Sequence, residues 1–207
     1  MALDALILAF DRALRTLSGT VQAARPSPAA DLPEPTLPDH ERRESARLMR
    51  VNHCGEVCAQ ALYQGQALAT RNERIAKPLR EAADEEVDHL AWSAARIEAL
   101  GGRTSHLNPV WYAGSFVLGY AAGRAGDRWN LAFLRETERQ VEAHLASHLE
   151  RLSPRDESTR AIVRQMKVDE AAHAATAQRL GAATMPAWVR GAMRRSAKVM
   201  TGLSYWV

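Results

Sequence analysis

Two short runs decide the fold: Glu86-Val87-Asp88-His89 and Glu170-Ala171-Ala172-His173. Each sets a carboxylate and an imidazole three residues apart, and on a helix residues three apart share one face. One such run is weak, because acidic helices carry the same spacing on solvated faces. The repetition and its flanks add weight. Glu56 lies 30 residues before Glu86, and Glu138 lies 32 residues before Glu170. Each half of the chain therefore reads as a helix with Glu, a turn, then a helix with Glu-x-x-His.

Working outward, the segments holding these residues are helical. Ala is abundant, β-branched residues are few, and no run alternates as a strand would. Four long helices are expected at 39–70, 78–100, 127–152 and 155–180. Asp39 is read as an N-cap, and Pro78, Pro154 and Pro186 as helix openers. Gly101-Gly102, Gly126 and Gly181 read as breaks between elements. Each long helix has about 25 residues, or roughly 37–40 Å at the α-helical rise. The segment from Thr104 to Gly123 has no Asp, Glu, Lys or Arg. Its apolar part is shorter than the ~20 residues a membrane span needs, so a buried or interfacial helix is expected there, placed as a crossover between the halves.

Residues 1–24 show helical periodicity through Leu3, Leu6, Ile7, Phe10, Leu14, Leu17 and Val21. Residues 25–38 hold Pro26, Pro28, Pro33, Pro35 and Pro38 and read as an extended linker outside any packed core. The expected organisation is an N-terminal helix (1–24), a Pro-rich linker (25–38) and a catalytic unit (39–207). A secretory signal is not expected, because Asp4 and Asp11 interrupt the apolar run and no basic stretch precedes it.

The chemistry follows from the residue types. Carboxylate and imidazole donors suit divalent iron. Two such ions carry a charge that Glu56, Glu86, Glu138 and Glu170 balance, with His89 and His173 neutral. Balance matters because an unpaired buried charge is costly. The arrangement is similar to that of ferritin-like di-iron bundles, in which two helices give one Glu each and two give Glu-x-x-His. By that pattern Glu86 and Glu170 bridge, Glu56 and His89 complete one iron, and Glu138 and His173 the other. An acid precedes each bridging Glu, and a ligating imidazole usually donates its second N–H to such a group. Glu85 and Asp169 are therefore candidates to hold the His of the opposite motif.

Other residues compete. His53 shares the face of Glu56 and could be a structural group or a partner to a ligand. Glu142 could replace Glu138. His144 and His148 follow on the same helix, with His148 read as surface or packing. Cys54 and Cys58 flank Glu56 and read as small packing residues. They are the only cysteines, too close in sequence for a disulfide scaffold, which suits a reducing compartment. Gly55 either permits close helix approach or is merely tolerated.

Composition excludes some classes. With 46% hydrophobic residues the 207-residue chain is not wholly disordered. Its net charge of +3 is uneven. No acidic side chain follows Glu170, while Arg179, Arg190, Arg194, Arg195 and Lys198 do. That is not an even basic coat, so nucleic acid is not an expected partner.

The run Val51-Asn52-His53-Cys54-Gly55-Glu56, continuing to Tyr63-Gln64-Gly65-Gln66, resembles the first-ligand signature of demethoxyubiquinone hydroxylases. Glu86-Val87-Asp88-His89, Thr137-Glu138 and Asp169-Glu170-Ala171-Ala172-His173 follow in that family's order, over about residues 40–207. The resemblance implies an all-α, ferritin-like four-helix bundle with a crossover hydrophobic helix and an extra C-terminal helix, preceded by the N-terminal helix on its Pro-rich linker. It implies Glu56, Glu86, His89, Glu138, Glu170 and His173 as catalytic iron ligands, favours Glu138 over Glu142, and sets His144 near the site. Many relatives carry a tyrosine after the position of His144; here Leu145 stands there, so no role passes to it.

The implied activity is that of a di-iron monooxygenase of ubiquinone biosynthesis. It would hydroxylate the ring of a polyprenyl-methyl-methoxy-benzoquinol with O₂, using two Fe ions per chain and electrons from NADH. No GxGxxG after a strand suggests a nucleotide domain, so reduction through bound quinone is one route. The implied location is peripheral, at the cytoplasmic face of the bacterial cell membrane. Accessory proteins of ubiquinone biosynthesis and a second copy of the chain are further partners. Val110, Trp111, Tyr112, Phe116, Val117, Leu118 and Tyr120 would meet lipid. So would a C-terminal helix with Trp188, Val189, Met193, Val199, Met200, Leu203, Tyr205 and Trp206 among basic residues. The alternatives are another ferritin-like di-iron protein, such as a ferroxidase or a hydroxylase of a modified nucleoside, and a non-catalytic helical membrane adaptor.

Overall fold

The computed structural model describes residues 2–207, with side chains from Ile7 onward. All regular structure among the described residues is helical. The elements are α1 (Ala2–Ser18), α2 (Asp39–Ala69), α3 (Glu73–Ala99), α4 (Asn108–Arg124), α5 (Asp127–Arg151), α6 (Glu157–Arg179) and α7 (Ala187–Trp206). Helices α2, α3, α5 and α6 form the bundle, with α2 packed on α3 and α5 on α6. Helix α4 is the crossover and lies along α2, while α7 lies on α2 and α5.

Three helix starts differ from expectation. Helix α3 begins at Glu73, not at Pro78, which lies inside it. Asn72 sets the start: its Oδ1 accepts from the Arg74 N–H at 3.1 Å, and its Nδ2 donates to Asp127 at 2.5 Å. The extra turn buries Ile75 and Ala76, which offsets the hydrogen bond lost at Pro78. Pro38, not Asp39, precedes the first turn of α2, and Asp39 pairs with Arg42 instead. Helix α6 is capped by Asp156, whose carboxylate accepts from the Thr159 N–H at 3.1 Å, so Pro154 belongs to the preceding turn.

The crossover is held by close backbone packing. A Cβ at Gly119 would overlap the Leu62 backbone, and one at Gly65 would overlap the Phe116 carbonyl. The close approach considered for Gly55 is therefore found at Gly65 and Gly119; a Cβ at Gly55 meets nothing within 4 Å.

Helix α1 ends at Ser18, short of residue 24, where Gly19 takes a φ of +70°. The following segment has no regular helix, but it turns at residues 28–31, where the Ala30 N–H donates to the Ser27 carbonyl at 2.9 Å, and it is laid on the bundle rather than kept outside it. Ala29 and Leu37 pack against the core. Glu34 pairs with the buried Arg96, whose Nη2 also holds Asp156 at 2.9 Å.

Of three apolar clusters among the described residues, two draw on all four bundle helices. One joins Leu48, Met49, Trp92, Ile97, Leu145, Ile162 and Met166. The other joins Leu62, Tyr63, Leu79, Leu131, Leu134 and Ala177. On each bundle helix one polar turn separates them: Glu56, Glu86 to His89, Glu138, and Glu170 to His173.

Candidate metal centre

These polar turns meet at one level. One donor atom each from Glu56, Glu86, His89 and Glu170 lie within 4.8 Å of one another, as do those of Glu86, Glu138, Glu170 and His173. The two sets share Glu86 and Glu170. All six side chains are buried.

Each imidazole has an inner and an outer face. His89 Nδ1 donates to Glu86 at 2.8 Å, and His89 Nε2 donates to Asp169 at 3.0 Å. His173 Nδ1 points inward, 3.5 Å from Glu86, 3.7 Å from Glu138 and 3.6 Å from Glu170. Its Nε2 donates outward to Glu85 at 3.1 Å. Asp169 and Glu85 thus hold the imidazole of the opposite motif, as their positions suggested. They fix which ring nitrogen faces the carboxylates.

The electrostatics show what the layer lacks. Burial, together with the charge of Glu86, pushes the Glu56 carboxyl well above the usual carboxylate range. Burial and neighbouring Glu170 do the same to Glu138. Burial also opposes charge on Glu86, but His89 and His173 beside it hold it well below that range. Glu170 is held low in the same way, against burial and the charge of Glu86, by Glu138 and the two imidazoles beside it. Burial works against charging the imidazoles too, yet the surrounding carboxylates raise His89 well above its ordinary value and His173 up to about 12. The layer attracts positive charge at its centre.

The residues fit divalent metal ions. Glu56 Oε2, Glu86 Oε1, Glu138 Oε2, Glu170 Oε2 and His173 Nδ1 are buried without a hydrogen-bond partner. Unpaired buried carboxylate oxygens are costly, and here they converge with an inward-facing imidazole nitrogen. Oxygen and nitrogen donors without thiolate suit iron or manganese over softer ions.

None of the competing residues, Glu142 among them, joins either donor set. His53 is buried without a partner on Nδ1, and burial pushes it down to about 4. His144 and His148 pack with ring centroids 4.0 Å apart and planes tilted by 58°. His148 is buried packing rather than surface, and burial pushes it down to about 2. Cys54 is buried and accepts from the Ser204 hydroxyl at 3.1 Å.

Two features escaped the sequence reading. The Tyr63 hydroxyl donates to Glu138. Tyr63 lies seven residues after Glu56, two turns on along one face, and that spacing was the available signal. Arg25 reaches Asp169 from outside the bundle at 3.0 Å.

A cavity of about 180 Å³ opens onto Glu56. Val51, Gly55, Val141, Leu145 and Met200 give it mostly apolar walls, with His144, Arg194 and Lys198 also lining it. Helix α7 forms one side. Its other side exposes Trp188, Val199, Leu203 and Trp206. Helix α4 exposes Val110, Val117, Leu118 and Tyr120. Tyr112 corrects the expected lipid-facing set: it is buried and donates to Gln64 at 2.6 Å. Phe116 packs inward as well. No helix of the described residues is long and apolar enough to cross a membrane.

Comparison with known proteins accords with this geometry. A 3-demethoxyubiquinol 3-hydroxylase of Nitrosomonas europaea is 60% identical over 205 residues, covering 99% of each chain. Proteins of the same name from Chromobacterium violaceum and Dechloromonas aromatica are 58% and 57% identical over 205 residues. The family model described as Ubiquinone biosynthesis protein COQ7 matches residues 43–204, so the chain belongs to that family.

Proposed function

We propose that this protein is a 3-demethoxyubiquinol 3-hydroxylase, a di-iron monooxygenase acting on a ubiquinone precursor. The observation that carries the reading is the pair of buried donor sets sharing Glu86 and Glu170. Glu56, Glu86, His89 and Glu170 would hold one iron, and Glu86, Glu138, Glu170 and His173 the other. When bound, the two irons supply the redox chemistry that activates O₂. One oxygen atom enters a ring C–H bond of the polyprenyl-methyl-methoxy-benzoquinol. The other leaves as water, with two electrons drawn ultimately from NADH.

The chain's own residues prepare this. Four carboxylates offset the charge of two divalent ions in a buried layer. Asp169 and Glu85 keep the imidazole Nδ1 atoms turned inward. Tyr63 holds Glu138 by its hydroxyl. The apolar clusters above and below exclude water. The cavity beside Glu56 has room for a six-membered ring, since an apolar cavity of about 150 Å³ admits benzene.

The exposed apolar residues of α4 and α7, with Ile7, Leu8, Phe10 and Leu14 of α1, support peripheral contact with a membrane surface, in this reading the cytoplasmic face of the cell membrane. Residues 39–207 form the catalytic unit, preceded by the Pro-rich segment 25–38 and the N-terminal segment 1–24. Accessory proteins of ubiquinone biosynthesis and self-association belong to the same reading.

The test is complementation of a bacterial strain lacking its own hydroxylase, read as its quinone profile. The wild-type chain should restore ubiquinone, and Glu86→Ala should leave the demethoxy precursor accumulated. Restoration by Glu86→Ala to the wild-type level, or failure of the folded, iron-loaded wild type, would refute the reading.

A further inference from the structure

Arg25 belongs to the Pro-rich segment before the bundle, yet it reaches both helices that carry Glu-x-x-His. Its Nε donates to Asp88 Oδ2 of α3 at 2.5 Å, and its Nη2 donates to Asp169 Oδ2 of α6 at 3.0 Å. The same Asp169 oxygen accepts from His89 Nε2 at 3.0 Å. Asp169 Oδ1 is taken by Gln165 at 2.8 Å, so both carboxylate oxygens are held. The segment is itself tied down here. The Ala24 N–H donates to Asp88 Oδ1 at 2.6 Å, and Trp92 Nε1 donates to the Arg25 carbonyl at 3.3 Å. The guanidinium also lies 4.9 Å from the Trp92 ring centroid, and that ring stands 5.6 Å from His89.

A surface ion pair would explain little of this. The side chains of Asp88 and Asp169 are only 4% and 10% exposed. A carboxylate orients an imidazole only as well as it is itself oriented. A planar guanidinium with parallel donors can fix two carboxylates at once, which a lysine ammonium at the end of a flexible stem does less well.

We infer that Arg25 is a positioning residue for the metal centre. The N-terminal segment pins Asp169, and through it the His89 ring, while tying α3 to α6. This rests on the metal-centre reading above, and the test separates the two.

The measurements are iron affinity, by competition with a chelator, and the near-infrared magnetic circular dichroism of the ferrous protein, which reports ligand geometry. Changes of groups that hold a metal ligand typically cost ten- to a hundredfold in affinity. Arg25→Gln should lower affinity about tenfold and shift the ferrous bands. Arg25→Gln/Asp169→Asn should be no weaker than Asp169→Asn alone, because both act through one oxygen. Glu34→Gln loosens the same segment at its other anchor, Arg96, and should change neither readout. Should Arg25→Gln fail to fold, Arg25→Lys keeps the charge and should still shift the bands. Wild-type affinity and bands in the Arg25 variants would overturn the inference. So would an equal loss in Glu34→Gln, or additive losses in the double variant. A wild-type chain that holds no iron would sink the metal-centre reading and this inference with it.

Discussion

Metal binding should release about four protons per pair of ions at pH 7, and the structure gives the arithmetic. Without metal, burial and the neighbouring carboxylates favour the protonated form of Glu56 and Glu138, while the imidazoles favour the ionised form of Glu86 and Glu170. His89 and His173 are both raised far enough to be imidazolium at neutral pH. The layer is then neutral: two carboxylates against two imidazolium ions. Filling it with two divalent ions requires four carboxylates and two neutral imidazoles. Two protons leave the carboxyls and two leave the rings. Affinity therefore strengthens as pH rises and weakens as it falls. The free energy of filling the pair should shift by about 5.4 kcal/mol per pH unit near neutrality, four times the about 1.36 kcal/mol per proton. Anaerobic calorimetry of ferrous iron binding to metal-free protein, in two buffers of different ionisation enthalpy, counts the protons directly. Two or fewer per iron pair would refute the reasoning, because at least two of the four groups would then be deprotonated already in the metal-free layer.

Two further outcomes test the scaffold. Arg96→Leu should destabilise by about 3–5 kcal/mol in denaturant unfolding, since it strands the buried Asp156 carboxylate; adding Asp156→Asn, which can still cap α6, should recover part of the loss. Gly119→Ala should cost about 1–3 kcal/mol by driving a methyl into the α2 backbone, whereas Gly114→Ala, with open space around it, should be neutral or stabilising; equal melting temperatures for the two would contradict the close packing of α4 on α2.

The bundle and its central layer were legible because both are written locally. Glu86 and His89, or Glu170 and His173, share a helix face by spacing alone, and the two halves repeat the pattern. The same logic placed Glu85 and Asp169 on the outer side of the opposite imidazoles. Helix starts were less legible, because proline is a weaker marker than the partners of a cap. Pro78 looked like an opener, but Asn72 finds Asp127 across the bundle, 55 residues on, and Ile75 finds the core. That choice is tertiary, and a reading along one helix does not contain it.

The Pro-rich segment shows the same limit in sharper form. Its composition disfavours a helix, and residues 25–38 form none, only a turn at 28–31. Composition does not say where such a segment lies. Arg25 meets Asp88 at a separation of 63 residues and Asp169 at 144, and neither acid advertises a need for a cation from so far away. Asp88 was hidden by its own motif, where it fills an unassigned place between Glu86 and His89. Yet an alternating arrangement follows from the helix itself. Glu86 and His89 face the interior, so the residue just before His89 must turn aside, toward whatever covers the flank of α3. A carboxylate buried there requires a donor, and the Pro-rich segment brings one. The metal layer thus makes its demand twice: four carboxylates call for cations at the centre, and Asp169, which steadies the His89 ring, shares with Asp88 a cation from outside the bundle.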